Sequence, residues 1–575
     1  MRFSTLAALV VITLLGTPAH AQVLWQTEVL GASSVKMLTD ADGNLYTVGA
    51  RDNFVTVPRT YSDILLTKTS PDGVSLWQQF ITADPGPGQT SNDATQDFGT
   101  DLALDSQGNI YITGFVSERG SRFERDAVIA KYAPDGTQLW ENIYNGTNNH
   151  EDFAFKVLLD AADNAYVAGI SAQTVNGGTD SHLALFKYAP DGALLWERHY
   201  NGSEGGYDDF GGVSFTPEGN IALLGVSFVD RFSVFDFDQP LMLIYSPEGD
   251  LVLEQPLLDA FATQHTFRIY DVQPYDGGLL ADLEVSALPF VQNSPIVGRQ
   301  LVKFETDGTI SERTRLFPDS TWAVYQNEGL VVQAAQGEVW AAYQVSRSFS
   351  EDSRLLMRYA DGAFTLANRA DGEPGRTFDT SVLAMTIDAA GNVYVASGDR
   401  LNNELWIRRY DQDGMLVGSI TLEGYAFTMS QIWVSNQYSV SLLAADEGRI
   451  YVSYHVNRNE GGATVKYQRT ALVQINASSV SVADEEQPGQ IRLEANYPNP
   501  FNPSTVLRFT LPTAQQVRLA VYDALGREVA VVRDGVLAAG THEATFEAAG
   551  LPSGLYLYRL QADQQQQTRL MHLMK

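Results

Sequence analysis

The chain has 575 residues, 44% hydrophobic and 19% charged, so it is a folded protein too long for one hydrophobic core unless that core is built from repeats. Its 69 acidic and 38 basic residues leave a net charge of −31, which repels nucleic acid and anionic lipid headgroups and excludes both as general partners. Cysteine is absent, which excludes disulfides, thiol catalysis, cysteine zinc sites and a lipidated N-terminal cysteine.

The first twenty-one residues read as an export signal. Arg2 supplies the charge, Leu6 to Leu15 the short apolar core, and Ala19-His20-Ala21 the small-x-small cleavage pattern, so the mature chain is expected to begin at Gln22. No run is long enough for a transmembrane helix.

From residue 40 to about 475 the chain repeats itself. "DSQGNIYITGFVSERGSRFERDAVIAKYAPDGTQLWENIYNG" (105–146) is followed by "DAADNAYVAGISAQTVNGGTDSHLALFKYAPDGALLWERHYNG" (160–202), and fainter copies follow. The turn that opens each unit lies near Gly43, Gly108, Asp163, Gly219, Gly277, Gly337, Gly391 and Gly448. Each unit reads as four short strands rich in Tyr, Val, Ile, Phe and Trp, punctuated by Asp-Gly or Gly-Asn turns. Four-stranded units at a regular period imply an all-β chain folded as a β-propeller of eight blades, or seven if a degenerate unit in 250–380 is counted wrongly. "VLWQTEV" (23–29) matches a fourth strand yet precedes the first unit, whereas the last unit ends near "TALVQIN" (470–476) without one. The first strand is therefore expected to complete the last blade. The pattern D-x-x-G-N-x-Y-x-x-G … K-Y-x-P-D-G-x-x-x-W resembles the bacterial SBBP-type β-propeller repeats, a family defined by fold with no single shared activity.

Candidate chemistry is sparse. "DADGN" (40–44) and "DQDGM" (411–415) space carboxylates as a calcium loop does, but Arg51 and Leu422 stand where its glutamate belongs, so both read as hairpin turns. Asp97, Asp152 and Asp209, each followed by Phe, open the innermost strands. They read as turn caps, or as a partial carboxylate ring at one mouth of the central channel that would take Ca2+, the one cofactor these residue types suit. Trp25, Trp77, Trp140 and Trp196 recur at one position and read as packing between blades rather than as sugar platforms. No H-E-x-x-H, G-x-S-x-G or P-loop signature is present, so catalysis has no positive support. The connections between second and third strands vary most and suit an asymmetric binding surface.

A polar linker (477–490) separates the propeller (22–476) from a second strand series (491–575) that reads as a small immunoglobulin-like β-sandwich. This segment carries "NYPNPFNPST" (496–505), "YDALGREV" (522–529), "LPSGLYLYRL" (551–560) and an alternating tail ending in Lys575. It resembles the type A C-terminal sorting domain of type IX secretion. The motif residues are Asn496, Tyr497, Pro498, Asn499, Pro500, Phe501, Asn502 and Pro503, with Gly554, Tyr556 and Lys575 further on. The resemblance implies engagement of the type IX machinery and delivery to the cell surface or medium. The expected product is a monomeric recognition or adhesion module for an extracellular protein or glycan. The competing classes are a polysaccharide hydrolase or lyase on the same scaffold and a structural envelope component.

Overall fold

The computed structural model describes residues 21–573 apart from 31, 54–60, 82–96, 118–123, 148–149, 176–177, 203–207, 229–237, 258–264, 288–297, 306, 308, 316–328, 334–338, 349–350, 361–362, 372–379, 400–402, 425–439, 446–447, 461–462, 477–491, 494–495, 497–500, 524–526, 549, 553 and 563–564. The described elements are strands throughout, in two compact units, Met1–Ser478 and Ser479–Lys575.

Among the described residues, the first unit holds eight four-stranded antiparallel sheets. In chain order, sheet 1 is Ala32–Thr39, Leu45–Asn53, Tyr61–Thr69 and Ser75–Ile81; sheet 2 is Phe98–Leu104, Ile110–Ser117, Arg125–Tyr132 and Gln138–Tyr144. Sheet 3 is Phe153–Leu159, Ala165–Val175, Gly178–Tyr188 and Leu194–Tyr200; sheet 4 is Asp208–Phe215, Ile221–Phe228, Asp238–Tyr245 and Leu251–Pro256. Sheets 5, 6 and 7 follow the same meander. Sheet 8 has only three strands in chain order, Val440–Ala444, Arg449–Glu460 and Ala463–Ile475, and takes its fourth from Ala21–Leu30. That first strand pairs antiparallel with Ala463–Ile475 from Ala21↔Ile475 to Leu30↔Tyr467. The expected closure by the 23–29 strand is thus present in the pairing.

Apolar residues cover both faces of each sheet, and successive sheets share them. Tyr46, Val48 and Leu66 of sheet 1 pack with Ile112 and Val128 of sheet 2. Equivalent clusters join each later pair in turn, and Tyr451 and Leu472 of sheet 8 meet Met37 and Leu45 of sheet 1. The first strands of neighbouring sheets touch, including Ala32–Thr39 on both Phe98–Leu104 and Val440–Ala444, so these strands converge on the centre.

The repeat pattern has a physical account residue by residue. In the first turn the Asp accepts hydrogen bonds from backbone and side chain, as in Asp105 Oδ1 from Gln107 N (2.9 Å) and Asn109 N (2.8 Å), and Oδ2 from Asn109 Nδ2 (2.8 Å). Lys131 lies 3.0 Å from the same carboxylate. Burial alone would raise the Asp105 carboxyl, but the bonds from Asn109 and Lys131 hold it below its ordinary value. Asp40 and Asp411 bind their own turns in the same way, so "DADGN" and "DQDGM" fold as tight turns. The Gly ending Y-x-x-G faces a bulge in the first strand: a Cβ on Gly169 would lie 1.8 Å from the Phe153 carbonyl oxygen.

The second half of the pattern joins one sheet to the next. Trp77 Nε1 and Lys68 Nζ of sheet 1 both donate to the Pro134 carbonyl of sheet 2, each at 3.1 Å. Trp140 (3.0 Å) and Lys131 (3.2 Å) do the same to Pro190, and Trp196 (3.1 Å) and Lys187 (2.9 Å) to Pro247. The glycine two residues after each proline carries the indole: a Cβ on Gly192 would lie 2.8 Å from the Trp140 ring. Trp25 repeats the contact from the first strand, donating to Pro71 at 2.7 Å and covering Gly73, where a Cβ would lie 2.5 Å from its ring. The recurring tryptophans are therefore inter-sheet clasps.

The second unit has one apolar core between a three-stranded sheet (Arg492–Leu493, Ser504–Leu511, Gly540–Glu547) and a four-stranded one (Glu528–Leu537, Gln515–Asp523, Gly554–Ala562, Gln565–Leu573).

Gly73→Ala tests the clasp that joins the last sheet to the first. Its φ of +81° and the indole above it disfavour any side chain, so thermal denaturation should show a loss of about 1–3 kcal/mol. An unchanged melting temperature would contradict the clasp.

Candidate functional site

Antiparallel meanders sort the connections by end. The tight turns between first and second strands and between third and fourth strands, with every Trp–Pro clasp, lie at one end of the sheets. The second-to-third and fourth-to-first connections leave from the other end. Their lengths differ: the second-to-third connection runs from Asn53 to Tyr61 in sheet 1 but only from Val175 to Gly178 in sheet 3, and Ile81 to Phe98 separates sheet 1 from sheet 2. The variation was expected in the second-to-third connections; the fourth-to-first connections differ in length as well.

Asp97 and Asp152 sit at this second end, 1% and 0% exposed. Asp97 Oδ1 accepts from Ser117 N (2.8 Å), and Asp152 accepts from Ala172 N (3.0 Å) and Gly146 N (2.6 Å). The residue equivalent to them in sheet 4 is Asp208, 2% exposed, which accepts from Gly202 N (3.3 Å). Asp209 is one position further along and exposed to solvent. The sequence frame slipped by one because "DDF" offers two aspartates. Burial pushes Asp152 and Asp208 up to about 6 against those hydrogen bonds. Their carboxylates tie strand ends to backbone N–H groups and do not converge with Asp209 as a ring. Among the described residues, no group of three His, Cys, Asp or Glu side chains is placed to hold a metal.

The centre is lined by the residues that follow the first-strand bulges: Lys36, Asp101, Lys156, Gly212 and Asp271 in sheets 1 to 5. Lys36 pairs with Asp101, and Lys156 with Asp271, each at 3.9 Å. Lys156 reaches from sheet 3 to sheet 5 across Gly212, which has no side chain to block it. Asp271, then Asp101, hold its ammonium above the ordinary value despite burial. This belt is not visible in the sequence, because one inserted residue shifts the alternation of these inner strands.

A polar rim lies at the loop-bearing end between sheets 2 and 3. Tyr144 Oη receives Gln173 Nε2 (3.2 Å) and Ser171 Oγ (3.4 Å), lies 3.4 Å from His199 Nε2 and stacks on that ring. His182 stands beside it, 3.8 Å from Asp180. Burial, then the neighbouring His182, pushes His199 down to about 4. Burial also lowers His182 against the pull of Asp180. Both imidazoles are neutral at pH 7.

In the second unit the opening motif is bolted to the final strand. Phe501 is 2% exposed, pairs with Leu573 in a parallel bridge and packs on Phe546. Asn496 donates to Thr505 Oγ1 (2.9 Å), Arg569 Nε to the Leu493 carbonyl (2.6 Å), and Tyr556 to Pro552 O (2.8 Å). Pro503 O accepts from Ala548 N (2.8 Å), and Gly554 opens the strand that pairs with Leu573. Gln22 lies in the closing strand; Ala19, Tyr497, Pro498, Asn499, Pro500 and Lys575 lie outside the described residues.

Residues 495–572 match the family described as Secretion system C-terminal sorting domain, and residues 89–114 match the Beta-propeller repeat. The chain carries a β-propeller repeat and a secretion sorting domain. This tail marks it for export through the type IX route to the outer surface or the medium. Among the described residues no helix is long and apolar enough to cross a membrane. No curated protein matches the chain in sequence. Solved structures with some likeness include a protein of unknown function from Dyadobacter fermentans (12% identity, TM-score 0.34, covering 80% of this chain and 100% of that one). An exo-β-1,3-galactanase from Clostridium thermocellum (10%, 0.27, 78% and 99%) and a Penicillium chrysogenum α-L-arabinanase (10%, 0.31, 55% and 93%) also align. At these TM-scores none transfers an activity.

Two outcomes are expected. A His199 pKa near 4 against an ordinary 6.5 means its stabilising contribution is complete above pH 6.5 and lost as pH falls toward 4. His199→Phe should therefore gain on the wild type across that window, by at most about 3 kcal/mol, read as diverging melting temperatures; parallel curves would refute the assignment. Phe501→Ala should destabilise the second unit by about 3–5 kcal/mol, read as a lowered unfolding midpoint.

Proposed function

We propose that this is a surface-attached or released recognition module: an eight-bladed propeller spanning 22–476, a linker at 477–490 and an immunoglobulin-like sorting sandwich at 491–575. The propeller binds an extracellular protein or glycan at its loop-bearing end. The observation that carries this reading is the separation of roles between the two ends. Repeated Trp–Lys–Pro clasps occupy one end and make it nearly the same from sheet to sheet in the clearest repeats. The other end holds the unlike connections and the one-off rim of Tyr144, His182 and His199. A recognition surface needs such local difference on a rigid base. Among the acids raised by burial, Asp152 and Asp208 are engaged by backbone N–H groups, and the inward-facing Asp101 and Asp271 are paired with lysines. These roles favour binding over turnover.

The test is a panel of extracellular polysaccharides and proteins scored for both retention and product release on the purified chain. Saturable binding without product is the expected result, and release of product from any of them would replace this reading with the enzymatic one. In cells, deletion of 491–575 should leave the propeller in the periplasm; undiminished surface delivery would refute the role of the sandwich.

A further inference from the structure

Two Asn-Gly dipeptides end the fourth strands of sheets 2 and 3, Asn145-Gly146 and Asn201-Gly202. Glycine is forced at both. A Cβ on Gly146 would lie 2.5 Å from the Ala172 carbonyl oxygen, and one on Gly202 would lie 2.2 Å from Ser227 Oγ. The fold thereby places asparagine before the one residue that offers no steric hindrance to succinimide closure, the reaction that makes asparagine thermolabile. In that reaction the glycine backbone nitrogen attacks the asparagine Cγ. The N–H proton passes to solvent, the Cγ–Nδ2 bond breaks, and ammonia leaves. Water then opens the ring to aspartate or isoaspartate.

The attacking N–H is occupied at both sites. Gly146 N donates to Asp152 Oδ2 at 2.6 Å, and Gly202 N to Asp208 Oδ2 at 3.3 Å. Asn201 is held from the other side as well, its Nδ2 donating to Asp180 Oδ2 at 3.0 Å. We propose that Asn145 and Asn201 are latent succinimide-forming sites kept unreactive by the carboxylates of Asp152 and Asp208. A hydrogen bond to a buried carboxylate holds the N–H away from the side-chain carbonyl carbon and resists the turn needed for attack. This gives the recurring aspartate a chemical task beside its structural one. It also explains why the guard matters at this end: ring opening would set a new carboxylate beside Asp180 and Asp208, at the feet of the loops, where like charge is costly. An exported protein that is not resynthesised in place depends on slow chemistry of this kind.

The experiment incubates the full-length protein at mildly alkaline pH and maps ammonia loss and isoaspartate by peptide mass spectrometry. The third Asn-Gly of the chain, Asn176-Gly177, serves as an internal reference, and a thermal melt of each variant confirms folding. In the wild type both guarded sites should react more slowly than in the same chain unfolded in denaturant. Asp152→Ala should accelerate Asn145 alone, and Asp208→Ala Asn201 alone, by about tenfold, the rate equivalent of losing one hydrogen bond to a charged group. Equal acceleration at all three sites would assign the protection to global folding and overturn the proposal. So would no change, or slowing, at the cognate asparagine.

Discussion

The carbonyl of a turn proline, approached by an indole N–H and an ammonium from the preceding sheet, is the directional interaction that orders sheets 1 to 4. Each four-stranded sheet is apolar on both faces and cannot bury them alone, so its stability lies in its neighbours. Apolar packing is non-directional and would tolerate many angles between sheets. The Trp–Lys–Pro clasp is directional: two donors from one sheet meet one acceptor on the next, and a glycine two residues on leaves room for the ring. Trp25 repeats the indole half of the clasp from the N-terminal strand, at the junction where the chain meets itself.

That economy divides the molecule. Because the clasps and the Asp-Asn turns hold one end, the other is relieved of a repetitive duty and differs from sheet to sheet. The inner strands add a second constraint. The bulges of sheets 1, 2, 3 and 5 are followed by charged residues, and the pairs Lys36–Asp101 and Lys156–Asp271 neutralise one another at the centre. Paired charges in a confined space are stabilised mainly by each other, so the centre reads as a structural seam.

Much of this was legible in the sequence, for identifiable reasons. The strand series of the tail unit was legible because each strand alternates against one core, as Thr505 to Leu511 does. The Trp and Pro-Asp-Gly positions could be assigned to packing because they recurred at a fixed spacing. The partners could not: nothing local says that Lys131 serves both Asp105 in its own sheet and Pro190 in the next. Asp209 was preferred over Asp208 because burial decides between adjacent aspartates and burial is not written in a dipeptide. The central belt stayed hidden because an inserted residue changes the side-chain parity of a strand without altering its composition. The rim of Tyr144, His182 and His199 is assembled from three strands of two sheets, and only pairing brings those residues together.

The central claim is that the N-terminal strand closes the propeller by pairing with Ala463–Ile475. The chain has no cysteine, so a single engineered pair, Gln26→Cys with Ala471→Cys, reports on that pairing without ambiguity, since the two positions face each other in the register. Oxidation of the folded protein should form the disulfide quantitatively and raise the melting temperature, because it would close a very long loop, worth about 5 kcal/mol in the chain-entropy account. A folded protein in which both thiols remain free under the same conditions would contradict the closure.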